Sequence, residues 1–394
     1  MKNSNTIHGY DWTGRKVLVT GASGFKGAWL AYVLQELGCK VYSLATHAVP
    51  DPFSSYQLLR LRERGLTELP VTDITTPRDE SGSLFRAINE AGPFDVVFHL
   101  AATAQVTVAR RDPMRALNVN VMGTLQLLEA HRLLQFKDTR MIIVSTDHVF
   151  GADEKLPRHG HPETEAVRVG GIYDTSKAMM EMGVHGYWAS FADELPAIGI
   201  TRSSNVFGYG DAGSRRVIPT FIRAAMDGQI TLTCRRNGRQ FIYIGDSVEG
   251  YILAASVLHG SGPAGARNLH RSAPQIFHFA QNKYGNRTPY VTIGDLAKQI
   301  AALFGAKVIE AADCVDFIPH ENRVQALDCR KTFAHLGWRP QTTLRAGLER
   351  LKPFFAEERN SALTPNSRLH ELMEQEAIGI AGSLVHSNES ANAA

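Results

Sequence analysis

Val17-Leu18-Val19-Thr20-Gly21-Ala22-Ser23-Gly24-Phe25-Lys26-Gly27-Ala28-Trp29-Leu30 decides the fold of this chain. Lys16–Thr20 is a short apolar strand, and Ala28-Trp29-Leu30-Ala31-Tyr32-Val33-Leu34 begins a helix. Three glycines, Gly21, Gly24 and Gly27, join them. In such a turn the first glycine permits the sharp reversal and the second lets a phosphate reach the backbone. The third lets helix and strand pack closely, while the helix N-terminus offers N–H groups and a positive dipole end to an anion. Strand, turn and helix together predict a site for a dinucleotide pyrophosphate.

Strand and helix patterns alternate outward from this turn. Strands are expected at Val17–Thr20, Lys40–Ala45, Thr67–Thr72, Asp95–Leu100, Met141–Thr146 and Ala197–Arg202. Helices are expected at Ala28–Leu37, Leu84–Ala91, Pro113–Leu134 and Tyr173–Phe191. The alternation predicts an α/β fold, a Rossmann-type doubly wound parallel sheet with ligands at the carboxyl ends of its strands. After Asn205 the pattern loosens. Val217–Met226, Asp246–Leu258, Ile293–Phe304 and Leu344–Phe355 read as helices, and Phe241–Ile244 as a strand. We expect a cofactor domain of residues 1–205 plus about 240–260, and a smaller mixed α/β substrate lobe of 206–239 plus about 261–355. From about Ala356 onward acidic residues, serines, alanines and asparagines dominate. A short helix at Arg368–Ile378 and a disordered end from Ser387 are expected there.

With 394 residues, 44% apolar and 21% charged, the chain can bury a large core. A formal charge of +3 gives no reason to expect a nucleic-acid or membrane surface. The four cysteines, Cys39, Cys234, Cys314 and Cys329, lack C-x-x-C spacing, which fits a reducing cytoplasm rather than a disulfide framework. No signal peptide is visible after Met1, and no stretch is apolar enough to span a bilayer. His159 and His161 lack a carboxylate-histidine framework, so they read as a solvated loop and no metal is expected.

Tyr173 and Lys177 stand four residues apart, on one face of the expected helix. A free phenol titrates near 10, and a neighbouring ammonium favours its ionised form. Such a tyrosine could take a proton from a sugar hydroxyl while hydride leaves the same carbon. Thr146, at the end of the strand Met141–Thr146, would complete a hydroxyl–tyrosine–lysine triad.

On these motifs the chain resembles the extended short-chain dehydrogenases/reductases that act on nucleotide sugars, and among them the CDP-glucose 4,6-dehydratases. The resemblance runs from about Asp11 to Leu351. It is carried by Asp11–Thr20, Gly24-Phe25-Lys26-Gly27-Ala28-Trp29-Leu30, His99-Leu100-Ala101-Ala102 and Asn120-Val121-Met122-Gly123-Thr124. Asn205-Val206-Phe207-Gly208, Arg216-Val217-Ile218-Pro219, Leu327-Asp328-Cys329-Arg330-Lys331 and Leu336-Gly337-Trp338-Arg339-Pro340 extend it.

The resemblance implies an NAD enzyme that converts a CDP-glucose-like substrate to a 4-keto-6-deoxy sugar. Tyr173, with Thr146 and Lys177, would deprotonate the C4 hydroxyl as hydride passes to the nicotinamide. The ketone acidifies C5–H, a base removes that proton, and an acid expels the C6 hydroxyl as water. Hydride then returns to C6. Asp147 and His148 occupy the acid and base positions. The base in related 4,6-dehydratases is usually glutamate or lysine. A neutral imidazole can serve, but His148 could equally be a pocket-wall residue and Asp147 a loop cap. Strict alternation would aim Thr146 and His148 one way and Asp147 the other, so the three converge only if the strand ends or bends there.

Gly21, Gly24, Phe25, Gly27, Leu100, Ala101 and Ala102 would line the cofactor, with Asp73 and Ile74 at the adenine, although Asp73 also suits a plain strand-end turn. Where an acidic residue would mark NAD, the chain offers Thr46 and His47, with Asp51 further on, so NADP stays open beside NAD. Asn205, Arg216, Arg239 and Arg323 are the substrate candidates, with Arg239 on the diphosphate and Glu321 nearby. The helices Pro113–Leu134 and Tyr173–Phe191 would build a four-helix homodimer interface in this family; internal packing in a monomer is the alternative. A 4-epimerase or 4-ketoreductase, which needs only the triad, and a non-catalytic nucleotide sensor are the rival functions.

Overall fold

The computed structural model describes residues 5–44, 51–71, 73–151, 156–168, 170–211, 216–258, 273–281, 289–318, 321–360 and 367–392. Its centre is a parallel sheet of seven strands: β1 (Lys16–Thr20), β2 (Lys40–Leu44), β3 (Thr67–Glu68), β4 (Val96–His99), β5 (Arg140–Thr146), β6 (Ala197–Ser203) and β7 (Gln275–Phe279). Their order is β7-β6-β5-β4-β1-β2-β3. The order reverses between β1 and β4, which opens a crevice at their carboxyl ends.

Six helices matter for the site: α1 (Phe25–Glu36), α2 (Leu84–Ala91), α3 (Gly123–Leu133), α4 (Ile172–Phe191), α5 (Ile244–Val257) and α6 (Ser367–Asn392). Alternate residues of the strands serve two separate cores. Val17, Val19, Phe98 and Val144 pack with Leu30 and Val33 of α1 and Val248 and Ile252 of α5. Leu18, Val97, Ile143 and Ile200 pack with Ile88 of α2, Leu127 of α3 and Met180 of α4. Burial on both faces is why these strands read as continuous apolar runs.

Four expectations are corrected. Pro113–Leu134 is not one helix but a turn of α-helix at Pro113–Leu117, a π-helical turn at Asn118–Met122, and α3. The widened turn accompanies an inward Asn120, whose carboxamide accepts from the Thr103 N–H (2.8 Å) and donates to Ser176 Oγ (2.8 Å). The β3 strand covers only Thr67–Glu68 of the six residues expected.

β7 was assigned to the substrate lobe, yet it pairs with β6 along its whole length. Phe277 and Phe279 are buried beneath α5, so the cofactor sheet gains a seventh strand. The short helix expected near the carboxyl terminus is instead long: α6 runs Ser367–Asn392, into the stretch expected to be disordered. Leu369, Met373, Ala377, Ala381 and Leu384 recur at three- or four-residue spacing and are all buried, against α1 and α5. Tyr32 Oη donates to Glu374 (3.3 Å), and Arg350 pairs with Glu376 (2.9 Å). No helix among the described residues is long and apolar enough to cross a membrane.

Candidate active site

The glycine turn is built at its steric limit. Gly21 has φ +75°, and a Cβ there would lie 2.8 Å from the Ala101 nitrogen. A Cβ on Gly27 would lie 2.2 Å from the Gly21 carbonyl oxygen, so only glycine lets α1 start this close to β1. Thr20 Oγ1 accepts from the N–H groups of Leu100 (3.2 Å) and Ala101 (3.1 Å) and bonds His99 Nδ1 (2.8 Å). His99 Nε2 reaches Thr124 Oγ1 (2.9 Å). Burial, aided by the Lys177 charge, holds His99 at a pKa of about 3, so it stays neutral and bridges the two strand ends. Leu100, Ala101 and the three glycines therefore share one wall of the crevice.

β5 ends at Thr146, and Asp147–Phe150 forms a single 3-10 turn. The interruption of the strand is what lets Thr146, Asp147 and His148 gather. Thr146 Oγ1 donates to Asp147 Oδ1 (3.2 Å) and accepts from the His148 N–H (3.3 Å). Tyr173 and Lys177, in the first turns of α4, are both buried beside them. The His148 ring stands edge-on to the Tyr173 ring, 5.4 Å between centroids.

The electrostatics differ from the expected ammonium effect. Burial dominates at Tyr173 and pushes its pKa up to about 12, opposed by the Thr146 hydroxyl and reinforced by Asp147 and Asp174. The Lys177 ammonium is instead held on the Val144 carbonyl (2.8 Å). Burial, with the nearby Lys26 charge, brings Lys177 down to about 7. Asp147 is raised, chiefly by burial, and its Oδ2 has no hydrogen-bond partner among the described residues.

The substrate candidates do not all converge. Arg239 is mostly buried and donates to the Asn322 carbonyl (2.8 Å), with Glu321 3.4 Å away. Burial lowers its pKa, while the negative fields of Glu321, Asp147 and Asp174 oppose this. Arg216 donates to the Val206 carbonyl (3.1 Å), and its guanidinium lies 5.6 Å from the Phe25 ring centre, at the glycine turn. The Asn205 amide is engaged with the Gln240 carbonyl (3.3 Å). Arg323 is exposed, its guanidinium 5.0 Å from the Phe317 ring centre.

The matching family model, described as the NAD dependent epimerase/dehydratase family, covers residues 17–265. The chain belongs to that family. The family's cofactor is NAD. The chain is 28% identical to a CDP-glucose 4,6-dehydratase of Salmonella typhimurium, over 86% of this chain and 90% of that one. Its fold is similar to that of Thermus thermophilus UDP-glucose 4-epimerase solved with NAD, with TM-score 0.64 and 26% identity over 84% of this chain and 96% of that one. It is also similar to DesIV, a dTDP-glucose 4,6-dehydratase of Streptomyces venezuelae, with TM-score 0.69 and 22% identity over 88% of this chain and 98% of that one.

The residues of this family member fit a dinucleotide at the glycine turn, because glycine at 27 lets α1 start hard against the Gly21 carbonyl and brings the helix N-terminus to the strand end. Asp73 accepts from the Thr75 N–H (2.9 Å) and pairs with Arg115 (2.7 Å), and Ile74 packs on Gly123. Thr46 and His47 lie outside the described residues. Asp51 accepts from the Phe53 N–H (2.9 Å). His161 is buried rather than solvated: it stacks on Phe150 and bonds Glu165 (3.0 Å), while His159 is exposed.

Sequence reasoning missed Asp174, which bonds His148 Nδ1 at 2.8 Å. It sits inside the Tyr173–Lys177 motif but off the face that pairs those two. It also missed the inward Asn120 and the buried Arg202–Glu181 pair (2.6 Å), whose Glu181 also accepts from Ser145 at the catalytic strand end.

Proposed function

We propose that this chain is an NAD-dependent nucleotide-sugar 4,6-dehydratase acting on a CDP-glucose-like substrate. The observation that carries the reading is Asp147: a buried carboxyl with a raised pKa and an unpartnered oxygen, next to the triad hydroxyl. A 4-epimerase or 4-ketoreductase has no use for such an acid; an elimination needs one. Bound NAD would supply the hydride acceptor for C4 and the hydride donor for C6, and its positive charge would favour the Tyr173 phenolate against the burial that raises its pKa. Tyr173, as the phenolate, accepts the C4 hydroxyl proton, with Thr146 orienting that hydroxyl. His148 takes the C5 proton, and Asp147 gives its own proton to the departing C6 hydroxyl. C5 is reprotonated as hydride arrives at C6, and the proton taken by Tyr173 passes through solvent to restore Asp147, so one water is lost overall. Arg239 and Arg216 hold the diphosphate, with Asn205 beside it and Arg323 toward the base.

Turnover of CDP-glucose in heavy water tests this directly. The expected product is a 4-keto-6-deoxy sugar with solvent deuterium at C5. Turnover that leaves C5 unlabelled and inverts or reduces C4 would sink the dehydratase reading. A second copy also belongs in the proposal. Met114 and Met182 are each 64% exposed, and Val106, Val108, Met122 and Met179 are exposed too, on α4 and the short helical segments packed against it. Sedimentation should give twice the chain mass of 43.3 kDa; a monomer at micromolar concentration would refute the four-helix interface.

A further inference from the structure

We propose that Asp174 is a positioning residue that fixes the tautomer of His148, so that the elimination base is a His148–Asp174 dyad with Nε2 as the proton acceptor. The inference rests on the dehydratase reading above and deepens it. His148 Nδ1 lies 2.8 Å from Asp174 Oδ1. An ionised carboxylate only accepts hydrogen bonds, so Nδ1 must carry the hydrogen and Nε2 keeps its lone pair. Nε2 is then the ring nitrogen left to act as a base.

The carboxylate is itself held in place. Asp174 is buried in the first turn of α4, where the helix dipole favours negative charge. Its other oxygen is hemmed in by the main chain: a Cβ on Gly170 would lie 2.4 Å from Oδ2. The Tyr173 ring fixes the imidazole from a second side, edge-on. One residue of α4 thus meets the C4 hydroxyl and the next orients the base for C5. That adjacency couples the two proton transfers in space.

The charges facing His148 act in a consistent direction. Burial lowers its affinity for a proton, but Asp174 and Asp147 outweigh that, against the Arg239 guanidinium from the substrate lobe, and the imidazole pKa is raised. A base with a raised pKa accepts the C5 proton more readily. The imidazolium formed is paired with Asp174, exchanges its proton with solvent and then gives one to C5, so the product carries solvent hydrogen there and the cycle closes with no change at the dyad.

Asp174→Asn is the decisive variant, with Asp174→Glu as its partner. The amide can donate to Nδ1, which moves the ring hydrogen to Nε2 and removes the lone pair facing the sugar. C5 deuterium incorporation is expected to fall about a hundredfold, within the range general bases contribute. Formation of reduced nicotinamide in a single turnover, which reports C4 oxidation, should not fall, since loss of the Asp174 charge only eases ionisation of Tyr173. Removal of the carboxylate lowers the imidazole pKa, so the acidic limb of the elimination rate moves to lower pH. Asp174→Glu should recover part of the C5 rate.

Wild-type C5 exchange with an unmoved acidic limb in Asp174→Asn would overturn the dyad. So would an equal loss of C4 oxidation and C5 exchange, since that marks a structural role. Absence of C5 label in the unmodified protein would instead bring down the elimination reading and the dyad with it, which separates that failure from one confined to the variant.

Discussion

Tyr173→Phe lowers turnover about a thousandfold and leaves NAD bound. The estimate follows from the ~10²–10⁴-fold contribution of a positioned acid or base. The ionised Tyr173 oxygen is the group that can take the C4 proton, and Thr146 and Lys177 cannot replace it: one is a weakly acidic hydroxyl, and the other is turned to the Val144 carbonyl. The ring that packs edge-on against His148 survives in phenylalanine, so the site keeps its shape. Loss should fall on the first step. Mixing the variant with substrate should give no burst of reduced-nicotinamide absorbance, whereas NAD retained through gel filtration should match the parent protein. Turnover within a few-fold of the parent would mean that another group accepts the C4 proton.

Gly27→Ala should abolish stable cofactor binding, and Gly24→Ala should not. At Gly27 an added methyl group would overlap three backbone atoms: the Gly21 oxygen at 2.2 Å, the Gly21 carbonyl carbon at 2.8 Å and Ala22 Cα at 2.9 Å. No rotamer relieves a clash with main chain, so α1 must lift from β1. Overpacking of this kind costs about 3 kcal/mol, and displacement of the helix N-terminus weakens NAD affinity by about a hundredfold. At Gly24 the nearest atom is the Gly21 oxygen at 3.3 Å, a contact that a few tenths of an ångström relieves. Calorimetric titration with NAD separates the two variants. Equal affinities in both would show that the turn is looser than its geometry implies.

The core of the sheet and the chemistry of its strand ends were legible in the chain because each is local. Gly21, Gly24 and Gly27 act within one turn, and Tyr173 and Lys177 within two turns of one helix. The apolar runs that became β1, β4, β5 and β6 declare burial on both faces without any partner being known. Other parts depended on contacts far away in sequence. The strand Gln275–Phe279 has no helix–strand alternation to announce it, and only its pairing with Ala197–Ser203 makes it part of the sheet. The stripe Leu369, Met373, Ala377, Ala381, Leu384 is diluted by polar neighbours, and only the tertiary structure gives it something to cover, in α1, α5 and the segments Thr6–Ile7 and Ser55–Leu58.

The same division runs through the site. The sequence by itself determined the glycine turn, the pairing of Tyr173 and Lys177 on one helix and the adjacency of Asp147 and His148, since these are fixed by residue type and short spacing. Only the tertiary structure decided that the strand stops at Thr146 so that Asp147 and His148 gather there, that burial governs Tyr173 and Lys177, and that Asp174 binds His148. Proton affinity and side-chain direction are set by what surrounds a group in space, and those neighbours come from distant segments of the chain.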